Sequence, residues 1–163
     1  MKTLLILRHA KSSWNEPGMM DHDRPLNARG KQDAPHIGQL LREQRLLPDL
    51  ILSSTAKRAR STAKRVVSGG ELHCTPQLLE QLYLAPAETY IEVLRKQPSE
   101  FNLILVIGHN PGLEELVLST TGTSLALRTA ALVQVEFEID TWFELPARGQ
   151  GKLVAHWEPR ELG

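Results

Sequence analysis

Cysteine is nearly absent: Cys74 stands alone among 163 residues. A single thiol allows no intrachain disulfide, and the cytoplasm is the expected compartment. Cys74 lies in Leu72-His73-Cys74-Thr75, within a stretch from Glu71 to Thr75 that reads as a strand, so a buried structural thiol is expected. An excess of one charge is missing too. Nineteen Lys and Arg balance nineteen Asp and Glu. The chain therefore has no electrostatic footprint of a general nucleic-acid or membrane binder, and any positive field must be local. No apolar run is long enough to cross a bilayer, and the four apolar residues before Arg8 are too few for a signal-peptide core. There is no low-complexity segment and no visible boundary. A single domain over residues 1–163, with a sizeable core, is expected.

What is present is a recurring apolar strand that turns polar at its carboxyl end. Leu4-Leu5-Ile6-Leu7 runs into Arg8-His9-Ala10. Leu50-Ile51-Leu52 runs into Ser53-Ser54-Thr55 and Lys57-Arg58. Leu103-Ile104-Leu105-Val106-Ile107 runs into Gly108-His109-Asn110-Pro111-Gly112. Short apolar runs bounded by polar residues read as fully buried strands, and open α/β sheets bind ligands beyond the carboxyl ends of their strands. If the three are parallel neighbours, Arg8, His9, Arg58 and His109 converge on one crevice with no acidic residue among them. That is a pocket for an anion, with two imidazoles in it.

The connecting segments offer further candidates. Ser12 and Asn15, in the loop after Arg8-His9, either donate to the anion or satisfy loop backbone. His22 between Asp21 and Asp23 hints at a metal, but adjacent loop residues rarely converge on one ion, and no second ligand cluster appears. Arg24 is either a further anion contact or the partner of its aspartate neighbours. Asn27 suits the N-cap of a helix to about Arg45, which Pro35 should kink or shorten. The next helix repeats Ser-Thr-Ala-Lys-Arg at residues 54–58 and 61–65 and ends at Ser68-Gly69-Gly70. Only Arg58, in its first turn, lies where an anion would sit. The remaining cations read as a solvated face, with RNA or an acidic partner as a weaker alternative because no aromatics are interleaved. Pro111 opens a helix whose first N–H groups, near Gly112, would point at the anion. Strands are expected at Ala131–Phe137, Trp142–Leu145 and Lys152–Trp157, completing a sheet edge. Glu80 could supply an acid but is more simply a solvated carboxylate.

These groups suit phosphoryl transfer. A neutral imidazole at His9 is a nucleophile, and neighbouring guanidiniums hold it neutral. Arg8 and Arg58 grip the non-bridging oxygens, while His109 stabilises the charge of the transition state. With enough cationic donors no metal or other cofactor is required.

Leu7-Arg8-His9-Ala10 resembles the Arg-His-Gly signature of the histidine phosphatase superfamily, and Asn15 falls where that motif continues as Trp-Asn. Pro25-Leu26-Asn27-Ala28-Arg29-Gly30, Ser53-Ser54-Thr55-Ala56-Lys57-Arg58-Ala59 and Gly108-His109 resemble its later motifs, in the right order. Arg-His-Ala-Lys-Ser-Ser-Trp and Gly-His-Asn-Pro-Gly are similar to the SixA-type phosphohistidine phosphatase branch. The resemblance implies an α/β fold of the phosphoglycerate mutase-like kind, a three-layer α/β/α sandwich with a mostly parallel central sheet. It also implies metal-independent phosphatase activity through a phosphohistidine on His9, with Arg8, Arg58 and His109 as the phosphate pocket and Arg24 as an added contact. Ala10 departs from the usual glycine. The general acid of larger relatives has no secure counterpart, Glu80 being the nearest. A missing acid and little spare chain for a lid fit a phosphorylated protein, carrying phosphohistidine, as substrate. A small phosphate ester or diphosphate is the alternative, and a non-catalytic phosphate-binding module a third.

Overall fold

The computed structural model describes residues 1–146 and 148–159. Six strands form one sheet: β1 (Lys2–Arg8), β2 (Leu50–Ser54), β3 (Gln77–Leu79), β4 (Leu103–Gly108), β5 (Leu132–Phe137) and β6 (Lys152–Trp157). Their order is β3-β2-β4-β1-β5-β6. β1, β2, β3 and β4 run parallel, and β5 and β6 add an antiparallel edge. The three apolar strands are therefore neighbours, with β4 between β1 and β2. Their register sets Arg8 beside Gly108 and Ser53 beside Ile107, so the polar ends are level.

Alternation along the strands divides the core in two. Leu4, Ile6, Leu52, Ile104 and Val106 face one cluster, closed by α3 (Ala87–Arg95) and α4 (Gly112–Thr121). Leu5, Leu7, Ile51, Leu105 and Ile107 face the other, closed by α1 (Ala28–Glu43) and α2 (Lys57–Gly70). Both sheet faces are covered, which is why these strands read as continuous apolar runs. The result is the expected three-layer α/β/α sandwich.

The helices begin and end largely where local chemistry directs. Asn27 caps α1, its side chain accepting from Gly30 N. Pro35 neither starts nor breaks this helix, which runs through it. α2 ends at Gly70, with Glu71 left-handed at φ 50°. Two expected strands are absent. Residues 72–76 are irregular, and the segment that pairs with β2 is β3, just beyond Pro76. Trp142–Glu144 is a helical turn whose capping box uses Thr141 and Glu144. Cys74 is half-buried in the irregular stretch, and burial raises its thiol pKa, as suits an inert thiol. Among the described residues no helix is long and apolar enough to cross a membrane.

Candidate active site

The site forms where β1, β4 and β2 end. Arg8 closes β1, and His9 N still donates to Gly108 O at 3.1 Å. The loop beyond is tied to α2 and to the start of α1. Ala10 N donates to Thr62 Oγ1 at 2.9 Å, whose hydroxyl donates to Arg58 O at 2.7 Å. Asn27 N donates to Lys11 O at 3.0 Å. A Cβ at Gly30 would lie 2.2 Å from Lys11 O, so only glycine lets α1 start this close to the loop. Thr62 thus couples the loop carrying His9 to the helix carrying Arg58.

His9 is 5% exposed and His109 2%. Their ring centroids are 5.3 Å apart, tilted by 52°. His9 Nδ1 lies 2.7 Å from Ala10 O. A carbonyl only accepts, so Nδ1 carries the proton and Nε2 keeps its lone pair. Burial, with smaller contributions from His109, Arg58 and Arg8 against an opposing bond to Ala10, pushes the His9 pKa down to about 3. Burial first, then Arg58, pushes His109 down to about 4. Both rings are neutral at pH 7. His109 Nε2 sits 2.8 Å from Ser54 Oγ at the end of β2. Its Nδ1 is buried without a protein partner among the described residues. A Cβ at Gly108 would meet Tyr90 Oη at 2.1 Å, the same hydroxyl that accepts from His109 N at 3.2 Å.

The arginines come from three elements. Arg8 Nη1 donates to Leu127 O at 3.0 Å. Arg58, buried at the first turn of α2, donates to Asp21 O at 2.7 Å and to Asp21 Oδ2 at 2.9 Å. Arg24, 8% exposed, donates to Asp21 Oδ1 at 2.9 Å, to Ser13 O at 3.2 Å and to Ser12 Oγ. Its guanidinium lies 3.3 Å over the centroid of the Trp14 ring. Arg24 is therefore a partner of Asp21 and also lines the site.

A cavity of about 240 Å³ opens here, lined by Arg8, His9, Arg24, Arg58 and His109, with Ser12 and Asn110 beside them. Among the described residues no carboxylate lines it. Of the remaining candidates, Asn15 is exposed and off the wall, and Glu80 is exposed in the turn Glu80–Leu82, also off the wall. Gly112 packs against Ala85 O rather than facing the cavity, and Asn110 holds that part of the wall.

Asp21 and Tyr83 tie the arginines together. The Asp21 carboxylate receives Arg24, Arg58 and the Tyr83 hydroxyl. Burial alone would raise its pKa, but the Tyr83 and Arg58 contacts outweigh it and hold it below the ordinary carboxylate value. An ionised Asp21 is no proton donor. The spacing Asp21 to Arg24 was the available signal for this pair. His22 bonds Thr55 Oγ1 at 2.9 Å and meets the Tyr83 ring edge-on at 4.8 Å. Among the described residues no group of three potential ligands is arranged to hold a metal.

Comparison with known proteins agrees with this geometry. Residues 4–115 match the model of the histidine phosphatase superfamily, branch 1. An uncharacterized chloroplastic protein of Arabidopsis thaliana is 35% identical across 93% of this chain and 75% of its own length. An uncharacterized protein of Mycobacterium tuberculosis is 36% identical, covering 96% of this chain and 93% of its own. Among solved structures, SixA from Agrobacterium tumefaciens superposes with a TM-score of 0.84 at 29% identity, covering 97% of this chain and 98% of its own. The protein histidine phosphatase SixA complexed with tungstate shares the fold, with a TM-score of 0.83 at 22% identity over 99% of both chains. The chain belongs to branch 1 of the histidine phosphatase superfamily, in its SixA-type form.

Proposed function

We propose that this phosphatase hydrolyses phosphohistidine on a protein through a phosphorylated His9. The observation that carries the reading is the composition of the cavity wall: three guanidiniums, two imidazoles, the Lys11 ammonium and, among the described residues, no carboxylate. Arg8, Arg24 and Arg58 bind the phosphoryl oxygens. The His9 Nε2 lone pair forms the new N–P bond as the bond to the substrate imidazole breaks, its electrons passing to that ring. His109 bears on the same oxygens as charge develops. Water then attacks phospho-His9, releasing phosphate and restoring the neutral ring. An imidazole leaving group can take its proton before attack, so a wall without a carboxylic acid suffices, whereas an alkoxide is best served by one. The SixA of the same fold is complexed with tungstate, a phosphate-like oxyanion.

Phosphate release from a phosphohistidine protein and from a panel of small phosphoesters, by wild type and His9→Ala, tests the reading. Phosphohistidine turnover should fall by at least about 10³-fold in the variant, with weak ester turnover throughout. Efficient turnover of one small ester would replace phosphohistidine as the substrate class, and activity surviving in the variant would remove the covalent step.

A further inference from the structure

α2 carries Lys57, Arg58, Arg60, Lys64 and Arg65 and no carboxylate, in a chain of zero formal charge. Arg58 belongs to the phosphate pocket. Arg60 and Lys64, one helical turn apart and exposed, do not. With His73 they line a cleft of about 570 Å³ between α2 and the segment reaching Leu78, and among the described residues no acidic one lines it. Its apolar part includes Val67 and Leu78, the latter 48% exposed. Arg58 and Lys64 lie about 9 Å apart along the helix axis. Lys64 is also turned about 240° round the axis from Arg58, so a polypeptide whose phosphorylated side chain occupies the pocket reaches the cleft by passing round the first turns of this helix.

We propose that the cleft docks an acidic segment of the phosphoprotein substrate, with an apolar side chain seated on Val67 and Leu78. This rests on the phosphoprotein reading above. Charge complementarity selects the occupant: cations without an ion-pair partner among the described residues, on a protein of zero formal charge, attract a carboxylate-rich chain and reject a basic one. Single-stranded RNA, the other polyanion, stacks its bases on aromatic platforms, and no Trp, Tyr or Phe lines the cleft.

Two measurements test the docking. The first follows turnover of a phosphohistidine protein with an acidic flank, and of phosphoramidate itself, by wild type, Arg60→Glu/Lys64→Glu and Arg60→Gln/Lys64→Gln. KM for the protein should rise about fivefold or more in both variants, most in the charge reversal, with kcat and phosphoramidate turnover unchanged. An unchanged KM overturns the proposal. So does a fall for phosphoramidate equal to that for the protein in the Gln variant, because the effect would then lie in the pocket. The second measures binding of a fluorescein-labelled Glu-rich peptide carrying single leucines to the intact protein. Binding should weaken with salt and in the charge-reversed variant. A peptide that does not bind at low ionic strength, or binds both proteins alike, overturns the cleft assignment whatever the substrate proves to be. Peptide binding without phosphohistidine turnover would retire that substrate reading and leave the basic cleft standing as a docking site for acidic segments. Tighter binding of an RNA oligonucleotide, lost in the same variant, would give the face to nucleic acid and overturn the proposal.

Discussion

Asp21 decides how the anion site is held before any anion arrives. Three donors converge on its carboxylate, from Arg24, Arg58 and Tyr83, and a carboxylate can accept on both oxygens at once. Asn keeps the shape but puts an NH₂ where one oxygen was. One guanidinium then faces a donor and must turn away. For Asp21→Asn, kcat/KM and the affinity for tungstate are both expected to fall about tenfold, the order of one hydrogen bond to a charged group. The two should fall together, because the arginines serve bound oxyanion and transition state alike. Steady-state kinetics and an inhibition constant check this. An unchanged tungstate affinity would show that Asp21 does not set the arginines. The four residues read most directly from the strand ends, Arg8, His9, Arg58 and His109, do meet in one cavity. They were legible because each follows a buried strand or opens the next helix. Asp21 was not, because nothing local says that a carboxylate in a loop will fold back onto an arginine 37 positions away.

At the scale of elements, legibility followed the length of the pattern. β1, β2 and β4 are buried on both faces and announce themselves as apolar runs. The edges do not. β3 pairs with β2 through only three positions, and alternation in so short a segment cannot distinguish residues 71–75 from 77–79. Trp142–Leu145 is apolar enough to look like a strand, yet Thr141-x-x-Glu144 is the signature of a helical start, and it wins because both of its reciprocal bonds form. The contact between α1 and α2 was also unreadable from periodicity, since it depends on missing side chains. A Cβ at Gly38 would lie 2.1 Å from Val66 O and 2.6 Å from Gly70 N, both backbone atoms. Gly38→Ala should therefore force the helices apart at a cost of about 1–3 kcal/mol, a fall in Tm of several degrees for a chain of this size. Gly18→Ala, at a turn with φ 87° and open space around its Cβ position, strains only the local backbone and is expected to cost less. Thermal denaturation of the two variants side by side would separate a packing glycine from a turn glycine. Equal losses would deny the close helix contact its importance.

For the whole molecule, the two buried imidazoles tie stability to pH. His9 titrates at about 3 and His109 at about 4 in the folded chain, against about 6.5 in an unfolded one. Between those values the unfolded state binds more protons, so stability rises with pH across the window and is lost as pH falls from about 6.5. Each ring contributes a slope of up to about 1.4 kcal/mol per pH unit. Asp21 acts with the same sign but in a lower window. Its lowered pKa adds stability that is present above the ordinary carboxylate range and lost only below about 3.9, so it does not mask the histidines. Urea midpoints measured from pH 7 to pH 4.5 should fall steadily, and His109→Gln should lessen the slope. Sulfate, a dianion throughout this range, supplies the sharper form of the test. A dianion beside the rings favours their protonated forms, so native and unfolded states come to bind protons more equally and the slope flattens. Sulfate also stabilises proteins generally by exclusion from their surface. That offset is the same at every pH, whereas flattening requires the anion to sit beside His9 and His109. A slope unchanged by sulfate would mean either that the rings are not held neutral or that the cavity does not take an oxyanion, and His109→Gln distinguishes the two, since only in the first case would the variant keep the wild-type slope.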